Sequence, residues 1–201
     1  MRRFVLPTIL LMLVGCATTL TALPDSSELT GPFPSDGAIV VGHVVTVLIG
    51  PTNRAYAPEL RFFELINTAT QERVRVEVES KDRWFILHLD PGDYELSRLQ
   101  ISEGAFLAIA GLNPGFKVRQ GEITYIGTWR LGIESPQYDR NILLSAIAEG
   151  RETVRQALAP YPSLRDNPFS TNLLTPAMVE TRLYEIPPYP RFWWFRRHHT
   201  S

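Results

Sequence analysis

The chain has 201 residues, of which 44% are hydrophobic and 20% charged, with a formal net charge of −1. That is enough for one domain with a core of its own and extensions, and tight for two. The near-neutral balance lacks the footprint of a nucleic-acid binder, and the single cysteine leaves no internal disulfide framework.

The chain opens "MRRFVLPTILLMLVGC". Arg2 and Arg3 form a positive n-region. Phe4 to Val14 make an apolar stretch shorter than the ~20 residues a membrane-spanning helix needs, so residues 1–15 read as an export signal. Its end, Leu13-Val14-Gly15-Cys16, resembles the bacterial lipobox, in which small residues admit signal peptidase II to the bond before a cysteine that becomes diacylated. The resemblance implies that Cys16 is the mature N-terminus, carries the lipid, and is lost to redox or metal chemistry. Several acyl chains hold a protein firmly where one binds marginally. Ala17 follows where an aspartate would favour inner-membrane retention, so the expected place is the outer membrane, facing the periplasm. Cleavage removes two arginines and no acid, leaving a formal charge of −3.

Residues 16–36, with "ATTLTALPDSSELTGPFPSD" after the cysteine, are rich in Thr, Ser and Pro without periodicity and read as a flexible tether. The fold is expected to start near Gly37. There "AIVVGHVVTVLI" is β-branched on both faces, as in a central strand covered on two sides. "ELRFFELIN" gives a second strand. In "RVRVEVES" Val74, Val76 and Val78 alternate with charges, which marks a third strand with one wet face.

In "FILHLDPGDYELSRL" Phe85, Leu87 and Leu89 share a face, Asp90-Pro91-Gly92-Asp93 offers Pro at i+1 and Gly at i+2, and Tyr94 and Leu96 resume the alternation. The expected structure is a β-hairpin with a type II turn that sets the register. Trp84, Ile86 and His88, on the other face, are too apolar for open water, so a cover is expected over them. "GFKVRQGEITYIGTWRLGI" reads as a short strand, a turn at Gln120-Gly121, and a long strand with Ile123, Tyr125, Trp129, Leu131 and Ile133 on one face. A last strand is expected over residues 139–147, then a short helix in "EGRETVRQALAPYP" stopped by Pro160. The fold class is therefore mainly β: an antiparallel β-sandwich of about seven or eight strands over 37–147. Residues 148–201 hold a short helix and a Pro- and aromatic-rich extension.

Phe85, Leu87, Leu89, Pro91, Gly92, Tyr94 and Leu96, followed by Gly121 and Tyr125-Ile126-Gly127, resemble the prealbumin-like sandwiches of carboxypeptidase regulatory domains and of bacterial lipoproteins. The resemblance covers roughly residues 37–147. It implies a fold and carries over no functional residue, since the catalytic metal site of the carboxypeptidases lies in another domain.

Chemistry-bearing patterns are sparse. His43 and His88 stand singly in expected strands, and His198-His199 lies near the end of the sequence. Asp90 and Asp93 flank a turn, where Asp serves its own backbone. "GLNPGF" reads as a turn, without the strand-to-helix context of a phosphate loop. No catalytic residue, metal site or cofactor is expected. The tail is the least ordinary region: in "YEIPPYPRFWWFRRHHTS" Phe192, Trp193, Trp194 and Phe195 stand among Arg191, Arg196 and Arg197. Such a segment suits a membrane interface or a protein hot spot, or straps back over the apolar face near Trp84.

The functional expectation is a non-catalytic, lipid-anchored envelope protein that binds or scaffolds a partner, held to its membrane through acylated Cys16. Two alternatives stand beside it: a hydrolase of unrecognised type with a cleft made by His43, His88 and nearby carboxylates, or an accessory subunit of an export or surface-assembly system.

Overall fold

The computed structural model describes residues 18–21, 37–165 and 167–186. In chain order the first strands are β1 (Thr18–Thr21), β2 (Ala38–Ile49), β3 (Glu59–Asn67), β4 (Arg73–Ser80) and β5 (Asp82–Leu89). There follow β6 (Gly92–Glu103), β7 (Phe106–Gly111), β8 (Gly115–Val118), β9 (Ile123–Glu134) and β10 (Asn141–Ile147). Helices α1 (Arg151–Leu158) and α2 (Pro162–Arg165) come next, then β11 (Phe169–Thr171), β12 (Met178–Arg182) and β13 (Tyr184–Ile186).

One sheet has the order β1-β4-β3-β6-β7-β13, with β8 also on β6; the other has β12-β10-β9-β2-β5, with β11 also on β9. The mainly-β, two-sheet body with a short helix is as expected. The strands among the described residues number 13 rather than seven or eight, and three pairings are parallel: β1 with β4, β2 with β9, and β11 with β9.

Two boundaries move. Thr18–Thr21 lies along β4 within the segment expected to be a tether, because "TTLT" has β-branched residues suited to a strand and Leu20 packs on the core between the sheets. At the other end α1 stops at Leu158, shortly before Pro160 as expected, but β11, β12 and β13 join both sheets. The folded body therefore runs past residue 147 to Ile186.

The core lies between the sheets. Its centre is the trio Phe63, Phe85 and Trp129, whose ring centroids are 5.1 Å apart in each pairing at tilted or edge-on angles, the arrangement that the ring quadrupole favours. Val74, Val76 and Val78 of β4 face it, as their alternation requires.

The hairpin expected around Pro91-Gly92 is not one. β5 belongs to one sheet and β6 to the other, so the chain crosses between sheets at Asp90–Pro91. Phe85, Leu87 and Leu89 enter the core from one side, Tyr94 and Leu96 from the other. The alternation survives the turn because both strands face one core. Gly92 opens β6 and is not in the left-handed region; it is small because a Cβ there would stand 2.7 Å from Asn67 Nδ2. The Tyr94 hydroxyl donates to the Asp90 carbonyl at 3.0 Å and closes the crossing, much as a tyrosine corner does in other sandwiches. The turn at Gln120-Gly121, where Gly121 has φ 69°, is as expected, and it too passes between sheets.

β9 does not keep one face. Val41 pairs with Tyr125 but His43 with Thr128, so β9 carries an extra residue, and Gly127 at φ 96° takes the bulge. Trp129, Leu131 and Ile133 therefore look into the inter-sheet core, whereas Ile123 and Tyr125 look outward. The outward set, with Ile39, Val41, Ile86 and Trp84, forms a second apolar cluster under Val154, Leu158, Tyr161 and Leu164. The cover expected over Trp84 is thus the α1–α2 segment. Val47 and Ile49, on the same outer face of β2, are exposed.

The sandwich has two ends. One, the Gly121 end, holds the 68–71 turn, the Asp90–Pro91 crossing and Gly121. The other, the Tyr138 end, holds the 50–58 loop, the Gly104–Ala105 turn and the 135–140 loop.

Candidate functional site

His43 sits in β2 opposite Trp84 of β5 and stacks on it, with centroids 4.6 Å apart and an interplanar angle of 5°. Its Nε2 is 2.7 Å from Asp82 Oδ1 and its Nδ1 3.3 Å from Thr128 Oγ1, which in turn lies 3.1 Å from the Tyr125 hydroxyl. Carboxylate, imidazole and hydroxyl thus stand in the order that activates a nucleophile. Thr128 is only 3% exposed and its oxygen is engaged by Tyr125. The chain of hydrogen bonds accordingly braces the rim of the outer cluster: it ties the start of β5 to the bulge in β9.

His88 is not brought to it. It stands opposite Ile39, four positions along β5 from Trp84, on the order of 13 Å at a strand's rise per residue. A Cβ at Gly37 would fall 1.8 Å from His88 Nε2, so the ring closes over that glycine. Asp93 faces Lys117 at 3.6 Å, and the Asp90 carbonyl accepts from Tyr94. Among the described residues no three His, Cys, Asp or Glu side chains gather as metal ligands, and no helix is long and apolar enough to cross a membrane.

The strongest concentration of unusual chemistry is at the Tyr138 end. Glu103 closes β6, Arg140 precedes β10, Arg54 lies in the loop after β2, and Glu185 is in β13. Arg140 Nη2 is 2.8 Å from Glu103 Oε2 and 3.3 Å from Glu185 Oε1. Arg54 is paired with the same two carboxylates. The Glu103 and Arg140 side chains are each 1% exposed. Two cations and two anions neutralise one another, which is what allows Glu103 and Arg140 to be buried while Glu185 reaches the surface. The quartet joins segments from both sheets, since β6 and β13 belong to one and β10 to the other. Arg140 Nε and Nη1 and Glu103 Oε1 are buried with no hydrogen-bond partner among the described residues.

Above the quartet the surface is aromatic. The Arg54 guanidinium lies 4.3 Å over the exposed Phe106 ring. Arg182 stands between Tyr184 and Tyr138, 5.2 and 5.5 Å from their centroids, and pairs with Asp139. Tyr138 is 90% exposed. Tyr56 rests on the Gly104 turn, where a Cβ would meet its ring at 2.5 Å. With Val47 and Ile49, six of the eight exposed large apolar side chains among the described residues gather at this end. Tyrosine, phenylalanine and arginine are the residue types that interface cores favour, and a rigid base lowers the entropy cost of using them.

Cys16 and Arg191, Phe192, Trp193, Trp194, Phe195, Arg196 and Arg197 lie outside the described residues. The described residues end at Ile186, which pairs with Leu107 at the Tyr138 end. Nothing local in the sequence singles out Arg140, Glu103 or Tyr138. A charge beside an apolar strand is usually solvated, and Arg140 and Glu103 are 37 positions apart.

Fold and surface together define the class: a two-sheet β-sandwich with helical cover on one outer face and an aromatic, arginine-bearing end. Compared with known proteins, the chain matches no family model, no curated protein and no solved structure.

Proposed function

We propose that this protein is a non-catalytic lipoprotein of the bacterial cell envelope, anchored through acylated Cys16 in the outer membrane and facing the periplasm, whose sandwich binds or scaffolds a partner protein. In this reading the body is a prealbumin-like module. The anchor rests on the sequence Arg2-Arg3, the apolar run and Leu13-Val14-Gly15-Cys16. The binding role rests on one observation: exposed Tyr56, Phe106, Tyr138 and Tyr184 are collected over the Arg54–Glu103–Arg140–Glu185 quartet, whose Glu103 and Arg140 are buried. Exposed aromatic clusters of this sort oppose solubility unless they are used, and rigidly based ones make good contact surfaces.

The experiment is palmitate labelling and membrane fractionation of the full-length protein and its Cys16→Ala variant. Label on the first and none on the second, with the second released into the soluble fraction, supports the reading. A Cys16→Ala chain that still sediments with membranes after a salt wash overturns the anchor.

A further inference from the structure

At the Gly121 end of the sandwich, opposite the aromatic surface, a groove runs between β8 of one sheet and β11 of the other. We propose that this groove binds a short stretch of neutral saccharide. The inference depends neither on the lipid anchor nor on the aromatic end.

β8 pairs with β6 and sets Lys117 opposite Asp93, while β11 pairs with β9 and sets Ser170 opposite Thr124. The groove has two lobes of about 270 and 340 Å³ that share Lys117 and Asn172, so they adjoin and together offer the room that small ligands occupy. Its walls are tied to each other. The Asn172 N–H donates to the Tyr125 carbonyl at 2.9 Å and its Nδ2 to the Lys117 carbonyl at 3.1 Å, and the backbones of Gly115 and Thr175 exchange two bonds of 2.8 Å. A groove held open in this way loses little entropy when it is filled.

The polar groups inside it are short of partners. Thr124 is 1% exposed and lines the smaller lobe, yet its hydroxyl has no hydrogen-bond partner among the described residues, a costly state for a buried hydroxyl. The Ser170 hydroxyl is 3.5 Å from Glu122 Oε2, Arg119 is 3.9 Å from the same carboxylate, and Lys117 is 3.6 Å from Asp93. Well-made hydrogen bonds measure about 2.7–3.0 Å, as where Arg98 meets Glu64 at 2.8 Å. Each loose contact keeps donor or acceptor capacity for a ligand.

The balance of these groups selects the ligand's chemistry. Lys117 and Arg119 stand with Asp93, Glu95 and Glu122, two cations to three carboxylates, so an anion gains no net attraction there. Among the described residues no three His, Cys, Asp or Glu side chains gather to hold a metal ion. An apolar ligand would strip water from hydroxyls, an amide and charges without replacing its hydrogen bonds. A sugar hydroxyl both donates and accepts. Neighbouring hydroxyls of one ring can therefore satisfy Thr124, Ser170, Lys117 and Glu122 together with no change in net charge.

The test uses the full-length protein, purified in a zwitterionic detergent and applied to an array of glucose-, galactose-, mannose- and N-acetylglucosamine-based oligosaccharides, followed by titration calorimetry of those that bind. The account predicts binding of at least one class, no competition from inorganic phosphate, and an affinity about tenfold lower for Thr124→Val, the loss of one well-made hydrogen bond. Because the Thr124 hydroxyl has no partner among the described residues, Thr124→Val should leave the thermal midpoint unchanged or raised, whereas a hydroxyl that braced the fold would lower it. Ser170→Ala, at an exposed position in β11, should also weaken binding with the midpoint unchanged, and it decides the question if Thr124→Val fails to fold. The proposal is overturned if no oligosaccharide binds, if phosphate competes with the one that does, if binding is indifferent to either folded variant, or if folded Thr124→Val melts lower than the parent.

Discussion

Replacing Arg140 by Met isolates the energetics of the buried Arg140–Glu103 pair within the quartet. The guanidinium is 1% exposed and meets Glu103 Oε2 at 2.8 Å and Glu185 Oε1 at 3.3 Å. Its removal leaves the equally buried Glu103 carboxylate with Arg54 as its remaining cation. Breaking a buried ion pair from one side costs about 3–5 kcal/mol, because the partner's charge is left under-compensated. Retention of Arg54 places Arg140→Met near the lower figure, about 3 kcal/mol. Arg182→Met breaks the more exposed pair with Asp139 and should cost about 1 kcal/mol or less. The double variant Arg140→Met with Glu103→Leu removes a charge of each sign, leaves Arg54 with Glu185, and should regain most of the loss, since apolar replacements of whole buried pairs are often neutral. The assay is equilibrium unfolding in urea, followed by tryptophan emission, on protein without residues 1–15 and with Cys16 replaced. An Arg140→Met loss below about 1 kcal/mol, or a double variant no more stable than the single, would refute the assignment of the quartet as a lock between the sheets.

Two glycines should fail for different reasons. Gly92→Ala drives a Cβ to 2.7 Å from Asn67 Nδ2 and disturbs a side chain whose Oδ1 accepts from Ala69 and Thr70 at 3.0 and 3.1 Å. Its cost of about 1–3 kcal/mol in urea should largely vanish in an Asn67→Ala background. Gly121→Ala meets nothing within 4 Å but sits at φ 69°, so its cost of about 1–2 kcal/mol should be indifferent to any neighbour; rescue by a neighbouring substitution would show a steric cause instead. Val154→Asp puts a charge into the cluster under α1 and should raise dye binding and red-shift Trp84 emission, whereas unchanged emission would mean that the helix does not cover that face. Burial raises the Tyr94 and Tyr125 hydroxyls above the ordinary 10.0. Their neutral forms therefore contribute stability that is complete below pH 10 and lost as pH rises through the folded values, so Tyr125→Phe should flatten the alkaline fall in urea midpoint.

Sheet content was legible because the alternation of Val74, Val76 and Val78, or of Phe85, Leu87 and Leu89, reports directly which side chains leave water. The partner of a strand was not. Phe85 to Leu96 reads the same for a hairpin and for a crossing between sheets, since both present one apolar face to one core, and Pro91-Gly92 suits either turn. Gly127 hid the switch of face in β9, because a bulge adds one residue without altering the composition around it. β1, β11 and β13, at three or four residues, are too short for a period of two to register, and their pairings with β4, β9 and β7 depend on distant segments. The aromatic end escaped for the same reason. Tyr56, Phe106, Tyr138 and Tyr184 come from four separate loops and strands, and nothing local joins them. The tail's "RFWWFRR", by contrast, stands out as a contiguous string in the sequence.

The anchor is the premise on which the proposed place of this protein turns, and the mass of the mature protein tests it most directly. Intact-mass and N-terminal peptide spectrometry of protein extracted from washed membranes should show a chain that has lost residues 1–15 and begins at a Cys16 carrying a diacylglyceryl group and an amide-linked acyl chain. A membrane-extracted chain that retains Met1, begins at another residue, or bears Cys16 as a free thiol would contradict the account.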